Sequence, residues 1–488
     1  MLEHETINRL SIGIAGLDEV LNGGVISGRT YLVRGGPGTG KTIMGLHFLT
    51  AGASAGECVL FISLGEAESQ LRENAKLAGF DLHGITFLDL SPRETHFVEP
   101  TESYDIFATA DIERQPIVDK IVAALEQQRP KRVFIDSMTQ FRYLSADAYQ
   151  FRRQTLSFLR FLANRGTTVL MTSDTSPETP DDDLCFMADG NILLALSPAG
   201  RTLSVSKFRG SGFRTGEHSM RLTSQGMVVF PKLIPERLHH DFVSEPLSSG
   251  VPELDELLHG GLERGTVTMI TGPSGTGKTT IGLQFIKEAA GRGEASVVYT
   301  FEEGQQTLLN RCENINIPVR AMMEGRHLAV YQIEPLRYTP DEFARSVRRE
   351  VEENQRKLVM IDSITGYGLS MHGRDLATHL HALSMYLKSV GVSVLLINEL
   401  EHITGAFRAT DNAVAYLADN LVFLRYLEIG GEMHKAIGVL KKRAGNFEKT
   451  LRELQITRDG LKIGEPLKNL RGILSGMPEW IASAQNTP

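Results

Sequence analysis

The sequence predicts an α/β protein: two tandem, duplicated domains, each a mostly parallel sheet flanked by helices. Three observations carry that prediction. The stretch "LSIGIAGLDEVLNGG" (Leu10 to Gly24) returns as "LSSGVPELDELLHGG" (Leu247 to Gly261), with nine of fifteen positions identical. The glycine-rich "GGPGTGKT" (Gly35 to Thr42) returns at the same offset of 237 as "GPSGTGKT" (Gly272 to Thr279). Within each copy, short apolar runs alternate with amphipathic ones, the pattern that covers a parallel sheet on both faces.

The elements follow in order. In the first copy "TYLVRG" (30–35) reads as a strand leading into the glycine loop, and Ile43, Met44, Leu46 and Phe48 mark the helix behind it. Next come the strand "ECVLFISL", a helix from about Ser69, the strand "KRVFIDS", the helix "AYQFRRQTLSFLRFLANRG" and the strand "TTVLMTS". The aromatic and arginine residues of that last helix have helical spacing. They read as one packed face and one charged face rather than as a nucleic-acid contact. The second copy repeats the helix start "KTIMGLHF" as "KTTIGLQF" and the strand end "IDS", with Asp362 against Asp136. Their offset is 226, so the first copy carries about eleven extra residues, expected in the loop-rich "SPRETHFVEPTESYD" (Ser91 to Asp105). A further pair, "VSKFRG" and "LKKRAG", aligns Lys207 with Lys441 and Arg209 with Arg443.

The expected boundaries are a first domain over 1–232, a linker over 233–246, a second domain over 247–468 and a C-terminal segment over 469–488. The linker region is proline-rich and aperiodic, and its His239 and His240 read as solvated. At 488 residues, 41% hydrophobic and 23% charged, the chain is too long for one core and suits two globular domains. No apolar run approaches the roughly 18 residues that would read as a membrane span. The start "MLEHETINRL" lacks the basic and apolar regions of a secretion signal, so a cytoplasmic protein is expected. Cys58, Cys185 and Cys312 stand far apart and are expected as buried, reduced thiols. A net charge of −8 offers no general attraction to nucleic acid.

The glycine loops carry the chemistry. Their pattern lets the backbone curl with its N–H groups inward, and the following helix adds its positive end, so phosphates are held there. Candidate nucleotide-binding residues are Gly35, Gly36, Pro37, Gly38, Thr39, Gly40, Lys41 and Thr42. In the second copy they are Gly272, Pro273, Ser274, Gly275, Thr276, Gly277, Lys278, Thr279 and Thr280. Lys41 and Lys278 reach the β- and γ-phosphates in this reading, while Thr42 and Thr279 ligate Mg²⁺. Asp136 and Asp362, ending buried strands at the carboxyl edge of the sheet, are the candidate partners of that ion. Candidate catalytic carboxylates follow the second strand: Glu302 and Glu303 in "TFEEGQ", and Glu66 alone in "SLGEAE", where Gly65 faces Glu302. A carboxylate near the γ-phosphate takes a proton from, or orients, the attacking water or hydroxyl.

These residues together resemble the double-domain KaiC family: "LDEVLNGG" and "LDELLHGG", "GPSGTGKTT", "FEE", "IDS" and "EIGGEMHKAI", over nearly the whole chain. KaiC proteins are RecA-like P-loop ATPases known from bacterial circadian clocks and from non-clock relatives. The resemblance implies a two-tiered homohexamer with ATP and Mg²⁺ between neighbouring subunits in both rings. It also implies that Lys207, Arg209, Lys441 and Arg443 reach a neighbour's γ-phosphate. Clock-type members phosphorylate themselves on an adjacent Ser-Thr pair in the second domain. Alignment on Asp419 puts Ala415 and Tyr416 there, with Thr410 nearby, so serine/threonine autokinase activity is in question. The short remainder "IASAQNTP" after "ILSGMPEW" puts a family-type regulatory tail in question too. The favoured function is therefore a KaiC-like ATPase. The alternatives are a nucleotide-gated signalling scaffold with little hydrolysis and, less favoured, a RecA-type motor acting on DNA.

Overall fold

A computed structural model describes residues 7–91, 110–143, 147–175, 181–234, 245–371, 375–400, 414–468, 470–471 and 479–480. All but Ser91 of the loop expected to hold the extra residues lies outside them, as do the linker histidines, Thr410 and most of the C-terminal segment. The chain divides into two compact units, Met1–Lys232 and Leu233–Pro488.

The first unit is built on nine strands: β1 (Thr30–Gly35), β2 (Val59–Ser63), β3 (Ile85–Asp89), β4 (Arg132–Asp136), β5 (Thr168–Asp174), β6 (Gly190–Ser197), β7 (Gly200–Phe208), β8 (Glu217–Thr223) and β9 (Gly226–Phe230). Their order across the sheet is β9-β8-β7-β6-β1-β5-β4-β2-β3, with β1 to β6 parallel and β7 to β9 added as an antiparallel meander. The second unit repeats this arrangement with β10 (Val267–Pro273), β11 (Ser296–Thr300), β12 (Leu328–Gln332), β13 (Leu358–Asp362), β14 (Ser393–Leu400), β15 (Asn420–Ile429), β16 (Glu432–Lys442), β17 (Arg452–Thr457) and β18 (Gly460–Pro466). Its order, β18-β17-β16-β15-β10-β14-β13-β11-β12, is the same topology strand for strand. The tandem α/β architecture read from the sequence is thus the architecture observed.

The apolar strands are buried on both faces, and alternate residues serve separate cores. In β2, Val59 and Phe61 pack on one side with Phe48 and Phe134, while Leu60 and Ile62 pack on the other with Val133 and Phe151. That is the period-2 geometry of a central strand covered by helices on both sides. Helix α1 (Lys41–Ser54) and helix α3 (Lys278–Gly291) start directly at the glycine loops; α2 (Glu68–Leu77) and α4 (Gln305–Glu313) follow the second strands. Gly45 of α1 sits against the Phe134 ring, where a Cβ would approach ring carbons to 2.1–2.3 Å.

One expectation needs correction. All three cysteines are free, but only Cys312 is buried; Cys185 is half-buried and Cys58 exposed. Cys58 precedes β2 rather than lying within it, so its side chain misses the sheet's two cores, and its Sγ donates to the Gln128 carbonyl at 3.3 Å.

Candidate functional site

Each glycine loop joins a central parallel strand to a helix at the carboxyl edge of its sheet, where open α/β sheets bind ligands. The turn needs left-handed backbone just before the helix: Gly40 has φ 104° and Gly277 φ 107°. A side chain is disfavoured there, and its absence leaves the first N–H groups of the helix pointing into the loop. Thr39 Oγ1 donates to the Gly36 carbonyl at 2.9 Å and Thr276 Oγ1 to the Pro273 carbonyl at 2.8 Å, tying the two turns in equivalent ways.

The lysines fold back over their loops. Lys41 Nζ donates to the carbonyls of Gly35 and Gly36 at 2.7 and 2.9 Å and pairs with Asp174 at 2.8 Å. Lys278 Nζ donates to the Pro273 carbonyl at 2.8 Å. Burial pushes the Lys278 ammonium below the ordinary lysine range, and Glu399, Asp362 and Glu302 oppose that shift. Asp174 and Glu399 are equivalent: Asp174 ends β5 and Glu399 is next to last in β14, in register with Gly35 and Gly272 respectively. Sequence reading missed both. The signal was available as a carboxylate at the end of "TTVLMTSD" and of "SVLLINE".

The threonine–aspartate pairs meet as expected. Thr42 Oγ1 donates to Asp136 Oδ2 and Thr279 Oγ1 to Asp362 Oδ2, each at 2.7 Å. Asp136 also accepts from Thr172 Oγ1 at 2.5 Å. Asp362 is pushed up to about 6, chiefly by burial, with the Thr279 bond and the Lys278 charge opposing.

The second loop borders a cavity of about 490 Å³ that brings Ser274, Gly275, Gly277, Lys278, Thr279 and Thr280 together with Asp362, Glu399 and both glutamates. Two further cations line it, Arg311 and Lys435, and neither was singled out from the sequence. Lys435 Nζ donates to the Gly275 carbonyl at 2.8 Å; Arg201 in the first unit makes the weaker equivalent contact to the Gly38 carbonyl at 3.4 Å. Because these residues come from the antiparallel strands β16 and β7, far along the chain from the loops, only the folded topology shows the contact.

The glutamates differ in their partners. Glu302 Oε1 accepts from Ser363 Oγ at 2.5 Å. Glu303 forms a two-point pair with Arg311 of α4, at 2.7 and 3.1 Å. In the first unit Glu66 accepts a single bond at 2.7 Å from Asn74 of α2. Gly65, standing where Glu302 does, has open space around it, with only Gln140 Cγ at 3.7 Å from where its Cβ would be.

Lys207, Arg209, Lys441 and Arg443 lie away from their own loops. Lys207 is in register with Asn191, which is level with Leu32 of β1; Lys441 is in register with Leu421, level with Met269 of β10. The glycine loop begins three residues further along in both cases, roughly 10 Å at a strand's rise per residue. Lys207 Nζ donates to the Cys185 carbonyl at 2.8 Å and Lys441 Nζ to the Ala418 carbonyl at 2.5 Å. Arg209 pairs with Asp189 at 3.7 Å and Arg443 with Asp419 at 3.2 Å. Ala415–Leu417 form a short 3₁₀ turn beside them, and the exposed Tyr416 ring stacks on His381 with centroids 5.9 Å apart.

Two sheets of one topology, each with a lysine-bearing glycine loop and a threonine–aspartate pair at its carboxyl edge, define a tandem RecA-like P-loop ATPase. The family pattern described as "ATPase: KaiC" matches residues 10–234 and again 247–468, and the chain belongs to that family. Among similar proteins are the circadian clock oscillator protein KaiC of Synechococcus elongatus, 28% identical over 495 residues (98% of this chain, 93% of the relative). The circadian clock protein KaiC3 of a Synechocystis strain is 26% identical over 502 residues (99% and 98%). The oscillator protein KaiC of Prochlorococcus marinus is 28% identical over 494 residues (98% and 97%).

Proposed function

We propose that the chain assembles into a two-ring homohexamer, binds Mg-ATP at subunit interfaces in both rings, and hydrolyses it faster in the second domain. The observation that carries this reading is the position of the cation pairs. In both domains Lys207/Arg209 and Lys441/Arg443 sit back from their own phosphate loop, so a neighbouring subunit's nucleotide is the one they would serve. A cation supplied in trans stabilises charge in the transition state and ties turnover to assembly.

The donor set fits a magnesium ion. A hydroxyl and a carboxylate held 2.7 Å apart in both domains form a compact all-oxygen site, as a hard cation requires. Thr42 with Asp136 and Thr279 with Asp362 would hold it, and it would supply positive charge against the phosphates. The loop residues 35–42 and 272–280 hold the phosphates through backbone N–H groups, Lys41 and Lys278. Glu302 or Glu303 orients the water and takes its proton in the second site; in the first only Glu66 remains. The missing carboxylate at Gly65 favours a second reading for that ring, in which bound ATP chiefly stabilises assembly. Ala415 has no hydroxyl and Tyr416 carries its own on a longer arm, which argues against serine/threonine phosphorylation at this pair.

Subunit mixing tests the proposal. Lys278→Ala chains lack a cradle and Arg443→Ala chains lack the trans cation, so each alone should turn over ATP poorly at the second site. Mixed in equal parts, about one quarter of random interfaces pair an intact loop with an intact arginine, and that fraction of second-site activity should return. No recovery despite demonstrated subunit exchange refutes action across the interface.

A further inference from the structure

The two domains hold their equivalent glutamates differently. Glu66 and Glu303 occupy the same place: their main-chain carbonyls accept from Ser63 Oγ and Thr300 Oγ1 respectively. Eight residues on, the first domain has Asn74 and the second Arg311, both aimed at that carboxylate. Asn74 gives Glu66 one neutral N–H at 2.7 Å. Arg311 gives Glu303 two charged ones, one to each oxygen. A two-point guanidinium pair fixes a carboxylate's orientation and offsets its charge, whereas a single amide bond leaves one oxygen and the full charge available. Arg311 lines the nucleotide cavity together with Lys278, Glu302 and Asp362, so its hold on Glu303 is exerted inside the site.

We infer that Arg311 is a positioning residue that withdraws Glu303 from proton transfer and leaves Glu302, of the two adjacent glutamates, as the proton acceptor in the second site. The inference rests on the proposed hydrolysis at that site. In the step concerned, the water oxygen bonds to the γ-phosphorus as the bond from that phosphorus to the β–γ bridging oxygen breaks. Glu302 takes one water proton and passes it to solvent, and ADP and inorganic phosphate leave. Glu302 suits the role because, among the described residues, its side chain accepts one hydrogen bond, from Ser363 Oγ to Oε1. Ser363 is itself fixed by the Gly366 N–H at 3.1 Å, so the carboxylate is aligned without being neutralised.

Releasing Glu303 should make the second site resemble the first. The double variant E302Q/R311N has no proton acceptor at 302 and an amide against Glu303, which is the arrangement of Gly65, Glu66 and Asn74. The experiment measures phosphate release from Mg-ATP by the full chain, with second-site turnover taken as the difference from the K278A chain. E302Q is expected to lower that turnover by about a hundredfold, the low end for loss of a general base. Adding R311N should raise it again by about tenfold as Glu303 takes over. R311K, which keeps the charge but loses the planar fork, should recover less than R311N. A purely structural role for Arg311 predicts the opposite sign, with R311N lowering turnover in both backgrounds. E302Q/R311N turning over no faster than E302Q, with its thermal unfolding unchanged, overturns the inference while leaving hydrolysis at the second site intact. Absence of second-site turnover in the unaltered chain overturns both readings.

Discussion

Gly65→Glu should raise ATP turnover at the first domain's site. Gly65 is exposed, its φ lies outside the left-handed region, and a new Cβ would meet only Gln140 Cγ at an ordinary 3.7 Å. The substitution therefore costs the fold little, within about 0.5 kcal/mol, as for surface positions without special backbone geometry. Its side chain would start where Glu302 starts, one position before Glu66 and opposite Ser137, the counterpart of Ser363. A positioned general base contributes about 10²- to 10⁴-fold, and part of that range is already covered if Glu66 sustains slow turnover. The expected gain is thus about tenfold to a hundredfold, or about 1.4 to 2.7 kcal/mol of barrier. The assay is steady-state phosphate release by G65E/K278A against K278A, with the second cradle disabled in both, alongside a fluorescent-nucleotide measurement of first-site occupancy. Unchanged turnover with nucleotide still bound would refute the assignment of the 65/302 position as the proton acceptor.

Two stability predictions follow from the packing. Gly45→Ala drives a methyl into the Phe134 ring at 2.1–2.3 Å and should lower first-domain stability by about 1 to 3 kcal/mol or more, read from the urea midpoint. Gly282→Ala, its counterpart, meets the flexible end of Met360 at 2.8 to 3.0 Å and should cost the second domain less. Acid should destabilise the first domain through His47. Burial holds that imidazole below the ordinary histidine range, and its Nε2 accepts from the Met227 N–H at 2.8 Å, a bond only the neutral ring can make. Because the folded value lies below the unfolded one, its contribution is fully present above about pH 6.5 and is lost as pH falls through the folded value. The first-domain melting temperature should therefore drop between pH 7.5 and 5.5, with a shallower slope in His47→Gln.

Much of this was legible in the sequence because the chain is its own alignment. A strand, a glycine loop and a helix leave local patterns, and finding each twice at one offset removed the ambiguity that a single short motif carries. The paired Thr42–Asp136 and Thr279–Asp362 contacts followed from topology alone, since a parallel sheet brings strand ends to one edge. Asp174, Glu399, Arg201 and Lys435 did not, because they reach the loops from strands 125 to 165 residues away through register rather than spacing. Arg311 was invisible for a different reason. An arginine in the last turn of a helix is ordinary on any amphipathic face, and only the bidentate contact distinguishes it. Cys58 shows the limit of composition, which speaks to the average cysteine and not to one that falls a residue short of a strand.

The two sites diverge in a pattern that follows from how each is built. The cradle is made largely of backbone donors and left-handed glycines, so changing a residue there alters the chain path and removes phosphate binding outright. The carboxylates and their partners hang from the same edge as side chains at exposed or half-buried positions, 65/302, 66/303 and 74/311. Exchanging them disturbs neither core. Nucleotide binding is thus tied to the chain path, whereas the side chains proposed for turnover can be exchanged without altering it. By that reasoning Gly65 and Asn74 on one side, Glu302 and Arg311 on the other, are the positions at which the proposed difference in turnover is tested. Asn74→Arg alone should slow the first site, because it would put on Glu66 the clamp that Arg311 places on Glu303, and G65E/N74R should release phosphate no faster than G65E, both read in the K278A background.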